Sequence, residues 1–438
     1  MLLEEIEIIE CTKYNEKITE IIFWYLEKIY DKFENNLIEM NDCEDFLIGI
    51  SNLLPIIPDS QKEKYIYIGY ELVKILKDKI ESNIFKKFYP LFFQGLGYSA
   101  YSIYSFNRST GLLSNFLNDI NKLLLNEGYN KSKQLVDYYE NNTNTFDYDA
   151  IYGMSGILNY LLEFEWTKDE SYKIEFMIAY LVTLSEEINY NEYTVPKIFI
   201  SNVNSTESER GQFLFGNINL GLSHGIAAPL KVLTIAKSKK YNVEGIDDAI
   251  STFFDIYNDF EIEKDNTITW PPMIGLEEYN CRTLKDRDYS LDFNKWCYGS
   301  LSLSLVLADA SIDEKQYLKY YNNCKQIAKQ YFKEYCFFTP NICHGYASML
   351  AMQIFAYKKS KDKIMLTNLD YSIGNILKCF DEYSEYGFKI CSDIDLEHEF
   401  KNYEINSYDF LEGTTGIVLA LSLIFNNDYD FNKLLFFS

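Results

Sequence analysis

Two kinds of apolar segment alternate along the chain. The first kind carries apolar residues on one stripe at helical spacing, as Ile18, Ile21 and Ile22 do within residues 14–34. Similar amphipathic stretches follow at 62–80, 112–126, 172–188, 246–259, 314–333 and 363–379. The second kind is apolar on nearly all sides and carries glycine, and it occupies 46–50, 94–98, 153–157, 221–226, 297–301, 343–346 and 413–417.

This alternation predicts an arrangement of layered helices. A helix that is apolar all round has to be buried, and an amphipathic helix covers it from outside. Seven alternations therefore predict an all-α fold, an α/α toroid of about seven inner and seven outer helices, with glycines where the inner helices begin. The glycine spacing is too uneven for a strict solenoid repeat. An irregular helical protein, in which glycines only mark helix ends, is the alternative.

Signals for β-strands and for domain boundaries are few. Residues 193–201 and 267–270 are predicted to be extended, and 141–145 and 202–211 are loops by composition. The sequence has no clear linker. We therefore predict a single domain over residues 1–438, with small irregular or β insertions near 190–215 and 260–292.

Composition and charge exclude several classes of protein. Apolar residues make up 47% of the 438, which excludes intrinsic disorder. The 65 acidic residues outnumber the 41 basic ones, so the net charge of −24 disfavours nucleic acid and would attract a basic peptide. The start lacks the features of a signal peptide, and the longest nearly apolar run, 417–425, is about half of a spanning helix. These features predict a cytoplasmic protein, and its nine cysteines do not indicate a disulfide framework.

The strongest candidate chemistry joins residues 296–299, Trp-Cys-Tyr-Gly, with residues 343–345, Cys-His-Gly. In a closed ring both segments would begin inner helices and point at one axis. Cys297, Cys343 and His344 would supply two thiolates and one imidazole, a common zinc set that leaves a fourth position open. Two core cysteines and a hydrogen-bonded core histidine are the alternative.

Other patterns suggest different chemistry. Residues 221–225 match the Gly-x-Ser-x-Gly nucleophile elbow, with Ser223 as the nucleophile, although an α/β-hydrolase would need a strand before it. Residues 95–100 resemble a dinucleotide loop without a parallel-sheet context, so we interpret them as structural. His398 lies in a charged stretch that indicates a solvated face. Asp147 and Asp149 precede an inner helix, where such acids complement the helix dipole and where one could orient a histidine.

At these positions the sequence resembles the lanthipeptide (lantibiotic) cyclases, the LanC-like family. The resemblance covers roughly residues 90 to 430 and is most specific at 149–156, 221–225, 296–299, 341–346 and 411–416. It implies an α/α toroid with zinc near one end of the axis, held by Cys297, Cys343 and His344. It also implies a catalytic His224, with Asp149 close by and Tyr298 lining the site.

The reaction that the resemblance implies is the addition of a peptide cysteine thiol to dehydroalanine or dehydrobutyrine, which forms (methyl)lanthionine thioether rings. The implied substrate is a dehydrated precursor peptide, with leader and core. The implied partners are a dehydratase and an export transporter, through which the protein would associate with the membrane. A glutathione-linked enzyme of the same family and a non-catalytic zinc-containing scaffold are the alternatives.

One position departs from the family pattern. Relatives carry Arg four residues before the first zinc cysteine, where this chain has Phe293. The cation that would stabilise an enolate is therefore missing from its usual place. Lys295 and Arg287 are the candidates to replace it.

Overall fold

The computed structural model describes residues 13–82, 92–138, 143–285, 294–330, 337, 339–390, 405–425 and 428–437. The inner helices, numbered in chain order, are α2 (Cys43–Leu53), α4 (Leu96–Thr110), α7 (Met154–Leu161), α10 (Ala227–Ser238), α13 (Ser300–Ala310), α15 (Tyr346–Ser360) and α17 (Thr414–Ser422). The outer helices are α1 (Asn15–Glu34), α3 (Asp59–Glu81), α5 (Ser114–Tyr138), α8 (Lys168–Thr183), α11 (Ile246–Asp259), α14 (Glu314–Lys329) and α16 (Leu369–Lys378). Three short helices lie in connections: α6 (Thr145–Tyr148), α9 (Glu207–Gln212) and α12 (Leu276–Cys281).

The inner helices form a closed ring. Each contacts the next in the order α2, α4, α7, α10, α13, α15 and α17, and α17 returns to α2. Each outer helix packs chiefly on one inner helix. The first outer helix, α1, packs on the last inner helix, α17, so these two helices form one of the seven pairs. The predicted α/α toroid of seven inner and seven outer helices is confirmed.

The burial of the two layers follows the sequence pattern. Every residue of α2 and of α17 is buried, whereas α1 buries one stripe that runs from Ile18 to Ile29. Glycine is the residue before five inner helices, α4, α7, α13, α15 and α17, as predicted. At Gly345 a Cβ would lie 2.2 Å from the carbonyl oxygen of Thr339, so only glycine fits there. The prediction was wrong for Gly49, which lies inside α2 against the ring of Tyr25.

The segments that precede the inner helices are joined to one another around one end of the ring, which we call the rim. Main-chain hydrogen bonds run from Phe93 to Ile151, Ala150 to Ser223, Leu222 to Cys297, Cys297 to Cys343 and Cys343 to Leu411. The Asp45 carboxylate completes the circle, because it accepts hydrogen bonds from the main-chain N–H of Phe410 and from the hydroxyl of Tyr98. Residues far apart in sequence are thereby fixed side by side at one end of the axis.

The strands lie in two connections between hairpins. β1 (Glu187–Tyr190), β2 (Tyr193–Pro196), β3 (Ile200–Ser201) and β4 (Gly216–Asn219) precede α10, and β5 (Ile262–Lys264), β6 (Thr267–Thr269) and β7 (Met273–Gly275) precede α13. All the pairings in the described ranges are antiparallel, and β4 joins the two connections by pairing with both β3 and β7. The two connections that carry these strands lie within or beside the predicted insertions. The prediction of a plain loop at 202–211 was wrong, because a 3₁₀ turn and the start of α9 lie there.

The last described segment, residues 428–437, lies inside the ring. Phe431, Leu434 and Leu435 are almost completely buried. Phe431 contacts Phe355 of α15, and the side chain of Asn159 on α7 donates a hydrogen bond to the carbonyl of Lys433. We call these ten residues the C-terminal segment. Among the described residues, no helix is both long enough and apolar enough to cross a lipid bilayer.

Candidate metal centre and catalytic residues

Cys297, Cys343 and His344 come together at the rim. One potential ligand atom from each of them lies within 4.8 Å of the other two. In a tetrahedral zinc site with Zn–S bonds of about 2.3 Å, the two sulfurs would lie about 3.8 Å apart, so ligand atoms within 4.8 Å of one another are compatible with such a site. Two thiolates and one imidazole also suit zinc chemically, and they leave a fourth position open. The residues present therefore fit the ion that the sequence predicts.

The rim hydrogen bonds hold the two cysteines beside each other. The main-chain N–H of Cys297 donates to the carbonyl of Cys343 over 3.3 Å, and the N–H of Cys343 donates to Leu411 over 2.9 Å. The carbonyl of Cys297 in turn accepts the N–H of Leu222, from the segment that carries His224. Four successive rim segments thus fix the position of the cluster.

Asn341 holds the turn that carries His344. Its Oδ1 accepts the main-chain N–H of His344 over 3.0 Å, and its Nδ2 lies 3.1 Å from Nε2 of the imidazole. Because an amide nitrogen only donates, Nε2 accepts the second bond, and the main-chain bond is the one that positions the ligand residue. The sequence analysis did not assign this role to Asn341.

The proton affinities of the three groups differ. The pKa of the Cys297 thiol is lowered, mainly by the hydrogen bond from Cys343, whereas that bond and burial raise the pKa of Cys343. Burial, with a smaller effect of Lys295, lowers the pKa of His344 to about 4. His344 is therefore neutral near pH 7, which is the form that binds a metal ion.

His224 and Asp149 form a second pair at the rim. Nδ1 of His224 lies 2.6 Å from Oδ2 of Asp149, whose side chain is fully buried. The other oxygen, Oδ1, accepts the main-chain N–H groups of Tyr152 and Gly153 over 2.6 and 2.7 Å. This fixes the carboxylate at the start of α7, and it leaves Nε2 of His224 as the ring nitrogen available to a substrate.

Burial and the partner act in opposite directions on this pair. Burial lowers the pKa of His224, but the hydrogen bond and the charge of Asp149 outweigh it, so the pKa lies above its ordinary value. Burial raises the pKa of Asp149, and the bonds from His224 and the main chain oppose that shift. The imidazolium form of His224 is therefore favoured.

Aromatic rings surround His224. Tyr152 is stacked on the imidazole with ring centroids 6.2 Å apart, and the edge of Phe146 meets it at 6.1 Å. Phe146 is 49% exposed, so this wall continues to the surface. Tyr298 lies over Gly221, and its hydroxyl accepts a hydrogen bond from the Asn219 amide over 2.7 Å. Burial raises the pKa of Tyr298, which keeps the phenol protonated.

Two charged side chains act on the cysteines and their surroundings. The ammonium group of Lys295 lowers the pKa of Cys297, and the carboxylate of Glu412 raises that of Cys343. Lys295 is therefore close enough to contribute positive charge at the cluster. Arg287 and Phe293, together with His398, lie outside the described residues.

The structure brings all six predicted site residues to the rim, with the Cys/Cys/His cluster and the Asp–His pair in adjoining segments. The turn before several inner helices repeats one geometry: Asp149, Asn341 and Asp409 each accept the N–H three residues later. That spacing before a helix-starting glycine, Asp/Asn-x-x-x-Gly, is the signal that could have identified Asn341. Within this repeated turn, Tyr152 and Glu412 occupy the position that His344 occupies in its own turn.

The alternative motifs have structural roles. The hydroxyl of Ser223 donates to the carbonyl of Cys297 over 3.5 Å, and the preceding β4 belongs to a small antiparallel sheet. The fold is therefore not that of an α/β-hydrolase. Gly95 precedes α4, an inner helix of the ring, so the dinucleotide-like segment has no Rossmann context. Asp147 forms an ion pair with Lys131 rather than with a histidine. Among the described cysteines, Cys43, Cys281, Cys297, Cys324 and Cys343 are free, and Cys379 is disulfide-bonded.

The fold and the rim residues define this chain as a helical toroid with a candidate Cys/Cys/His metal centre and an Asp–His pair at one end of its axis. The model of the family described as lanthionine synthetase C-like protein matches residues 47–436. Because that range is most of the chain, the chain belongs to the lanthionine synthetase C-like family.

Two individual proteins are similar to it. The nisin biosynthesis protein NisC of Lactococcus lactis subsp. lactis is 26% identical over 333 residues, which are 75% of this chain and 72% of that protein. The solved structure of nisin cyclase matches with a TM-score of 0.75 at 21% identity, and the match covers 97% of this chain and 98% of that one. At this identity the structural match supports the toroid fold.

Proposed function

We propose that this chain is a zinc-dependent lanthipeptide cyclase, which adds cysteine thiols of a dehydrated precursor peptide to dehydroalanine or dehydrobutyrine. The observation that carries the proposal is the rim, where the Cys/Cys/His cluster adjoins a part-buried Asp–His pair in a chain of the lanthionine synthetase C-like family. The similarity to a nisin biosynthesis protein supports the same substrate class.

The proposed metal ligands are Cys297, Cys343 and His344, with Asn341 holding the turn that carries His344. A zinc ion bound there supplies a Lewis acid that stabilises a substrate thiol as the thiolate, its nucleophilic form, at neutral pH. Three protein ligands would leave one coordination position for the substrate sulfur.

The reaction adds S–H across a carbon–carbon double bond. The cysteine sulfur forms a bond to the β-carbon, the π bond breaks, and the electron pair moves towards the α-carbon and its carbonyl. A proton then has to reach the α-carbon. We assign this donation to Nε2 of His224, and the proposal is supported by the bond from Asp149 to Nδ1 and by the raised pKa that favours the imidazolium form. Lys295 is the proposed source of positive charge for the enolate, and Tyr298 lines the same site.

The aromatic side chains beside His224 suit a peptide in which several thioether rings are formed. Tyr152 and the half-exposed Phe146 offer flat apolar contacts without a fixed pattern of hydrogen bonds. We propose that successive parts of one peptide use this surface. We also propose that the chain is a single catalytic domain, which acts in the cytoplasm with a dehydratase and an export transporter.

The test is ring formation on a dehydrated precursor peptide, followed by alkylation of the remaining thiols and mass spectrometry. The wild-type protein should close rings, and the His224→Ala variant should bind zinc normally but close rings about 10²- to 10⁴-fold more slowly. An inactive wild type that still binds the peptide would favour the scaffold alternative. Addition of free glutathione in preference to peptide thiols would favour the glutathione-linked alternative.

A further inference from the structure

The C-terminal segment is anchored to several inner helices at once. The main-chain N–H of Asp430 donates to Oδ1 of Asn52 on α2 over 2.9 Å. The hydroxyl of Tyr101 on α4 donates to the carbonyl of Asp430 over 2.7 Å, and Asn159 on α7 donates to Lys433 over 2.8 Å. The segment is therefore fixed inside the ring by hydrogen bonds as well as by its buried apolar side chains.

This segment reaches the first metal-ligand cysteine through Trp296. The indole Nε1–H of Trp296 donates to the carbonyl of Leu435 over 2.9 Å, and both residues are almost completely buried. The main-chain N–H of Trp296 donates to the hydroxyl of Ser348 over 2.7 Å. Cys297 is the next residue in the chain. Both N–H groups of Trp296 are thus hydrogen-bonded, so Trp296 holds the main chain of Cys297 on one side.

The segment also lies beneath the second cysteine. The ring of Phe431 meets that of Phe410 edge-on with centroids 6.0 Å apart. The residue after Phe410 is Leu411, whose carbonyl accepts the main-chain N–H of Cys343. Both segments that carry or hold the cysteines thus rest on the same ten residues from the end of the chain.

We propose that the C-terminal segment is the support of the metal centre, and that Trp296 is a positioning residue for Cys297. The inference rests on the proposed metal site. Residues behind a ligand set the geometry of the site and therefore its metal affinity. A tryptophan that only filled the core would contribute to folding stability without a specific effect on the metal.

The Trp296→Phe variant tests this most directly. It keeps an aromatic ring, removes the indole N–H and leaves the buried carbonyl of Leu435 without that partner. The matched control is Trp270→Phe. Trp270 is also buried, and its Nε1–H donates over 2.9 Å to the carbonyl of Tyr257, which belongs to no metal-ligand segment.

Three quantities are measured for the full chain: the midpoint of thermal unfolding after metal removal, the zinc affinity by competition with a chromophoric chelator, and the visible absorption spectrum with cobalt. We expect both variants to lose similar thermal stability. Only Trp296→Phe should bind zinc about 10- to 100-fold more weakly and change the cobalt bands, while Trp270→Phe should stay within threefold of the wild type.

Equal zinc affinities in the two variants would overturn the inference. If Trp296→Phe does not fold, Phe431→Leu replaces it, because it loosens the same support from the side of Phe410. Phe431→Leu with wild-type zinc affinity would also overturn the inference. A wild-type protein that binds no zinc would instead contradict the proposed metal centre, and with it this inference.

Discussion

Replacing Asp149 with Asn should slow cyclisation without weakening the fold. The bond between Asp149 Oδ2 and His224 Nδ1 is 2.6 Å long, and its carboxylate side is fully buried. A charge-assisted hydrogen bond of this kind contributes about 1.5–3 kcal/mol, which corresponds to about a 10- to 150-fold loss of rate. The amide can still accept the two main-chain N–H groups through Oδ1. Because burial raises the pKa of Asp149, its ionised form is disfavoured by folding, and a neutral amide should not lower the unfolding temperature.

The same substitution should change the pH dependence. Asp149 raises the pKa of His224, so the acid form of His224 persists to higher pH in the wild type. The rate of ring closure should fall as the pH rises through that pKa. Without the carboxylate, burial lowers the pKa of His224 against only the smaller effects of Cys297 and Glu209, so in Asp149→Asn this falling limb should move to lower pH.

The assay is the initial rate of ring closure on a dehydrated peptide between about pH 5.5 and about pH 9, with the unfolding temperature measured in parallel. Asp409→Asn is the matched control, because Asp409 holds the same turn before α17 through the N–H groups of Glu412 and Gly413. Wild-type rates in Asp149→Asn with an unmoved alkaline limb would refute the role of the pair. An equal loss in Asp409→Asn would show that only the turn matters.

Three further predictions concern the metal site and the rim. Asn341→Ala should weaken zinc binding about 10- to 100-fold by freeing the turn that carries His344, whereas Asn280→Ala, which removes an amide bonded within α12, should not; unchanged chelator competition in both would contradict this. Gly345→Ala should lower the free energy of unfolding by about 1–3 kcal/mol, because its Cβ would lie 2.2 Å from a carbonyl oxygen, whereas Gly211→Ala, with open space around its Cβ, should be neutral in denaturant melts. Zinc binding should release protons from the cysteines and none from His344, whose pKa is about 4, so affinity should rise from about pH 6 to about pH 8; calorimetry in buffers of different ionisation enthalpy that detects no proton release would contradict it.

The layered helices could be predicted because each layer needs a different distribution of apolar residues. An outer helix carries one apolar stripe, and an inner helix is apolar on nearly all sides. The seven amphipathic stretches correspond to the seven outer helices, and the stripe around Ile18 is the buried face of α1. The short elements were less accessible to this reasoning. α9 has six residues, less than two turns, and carries no apolar stripe, and the turn at 202–204 depends on contacts such as Asn204 with Thr143, which sequence periodicity does not report.

The candidate site could also be predicted only in part. Histidine is rare enough in this chain that the positions of Cys297, Cys343 and His344 before inner helices made them a candidate cluster. The resemblance then favoured a metal site over core residues, and it also supplied His224 and Asp149. The support of the cluster was not predictable, since Leu435 is 139 residues from Trp296 and acts through a carbonyl group that every residue has. Asn341 was closer to being found, because a local spacing carries it.

The most direct test of the central claim is the metal content of the purified chain, measured beside that of the Cys343→Ala variant. The thermal stability of the two proteins is compared first, so that a loss of metal is not a loss of folding. The account predicts about one zinc ion per wild-type chain and a large loss of bound zinc, together with ring-forming activity, in the variant. A wild-type protein that closes thioether rings with no bound metal, or a Cys343→Ala variant that retains its zinc, would contradict it.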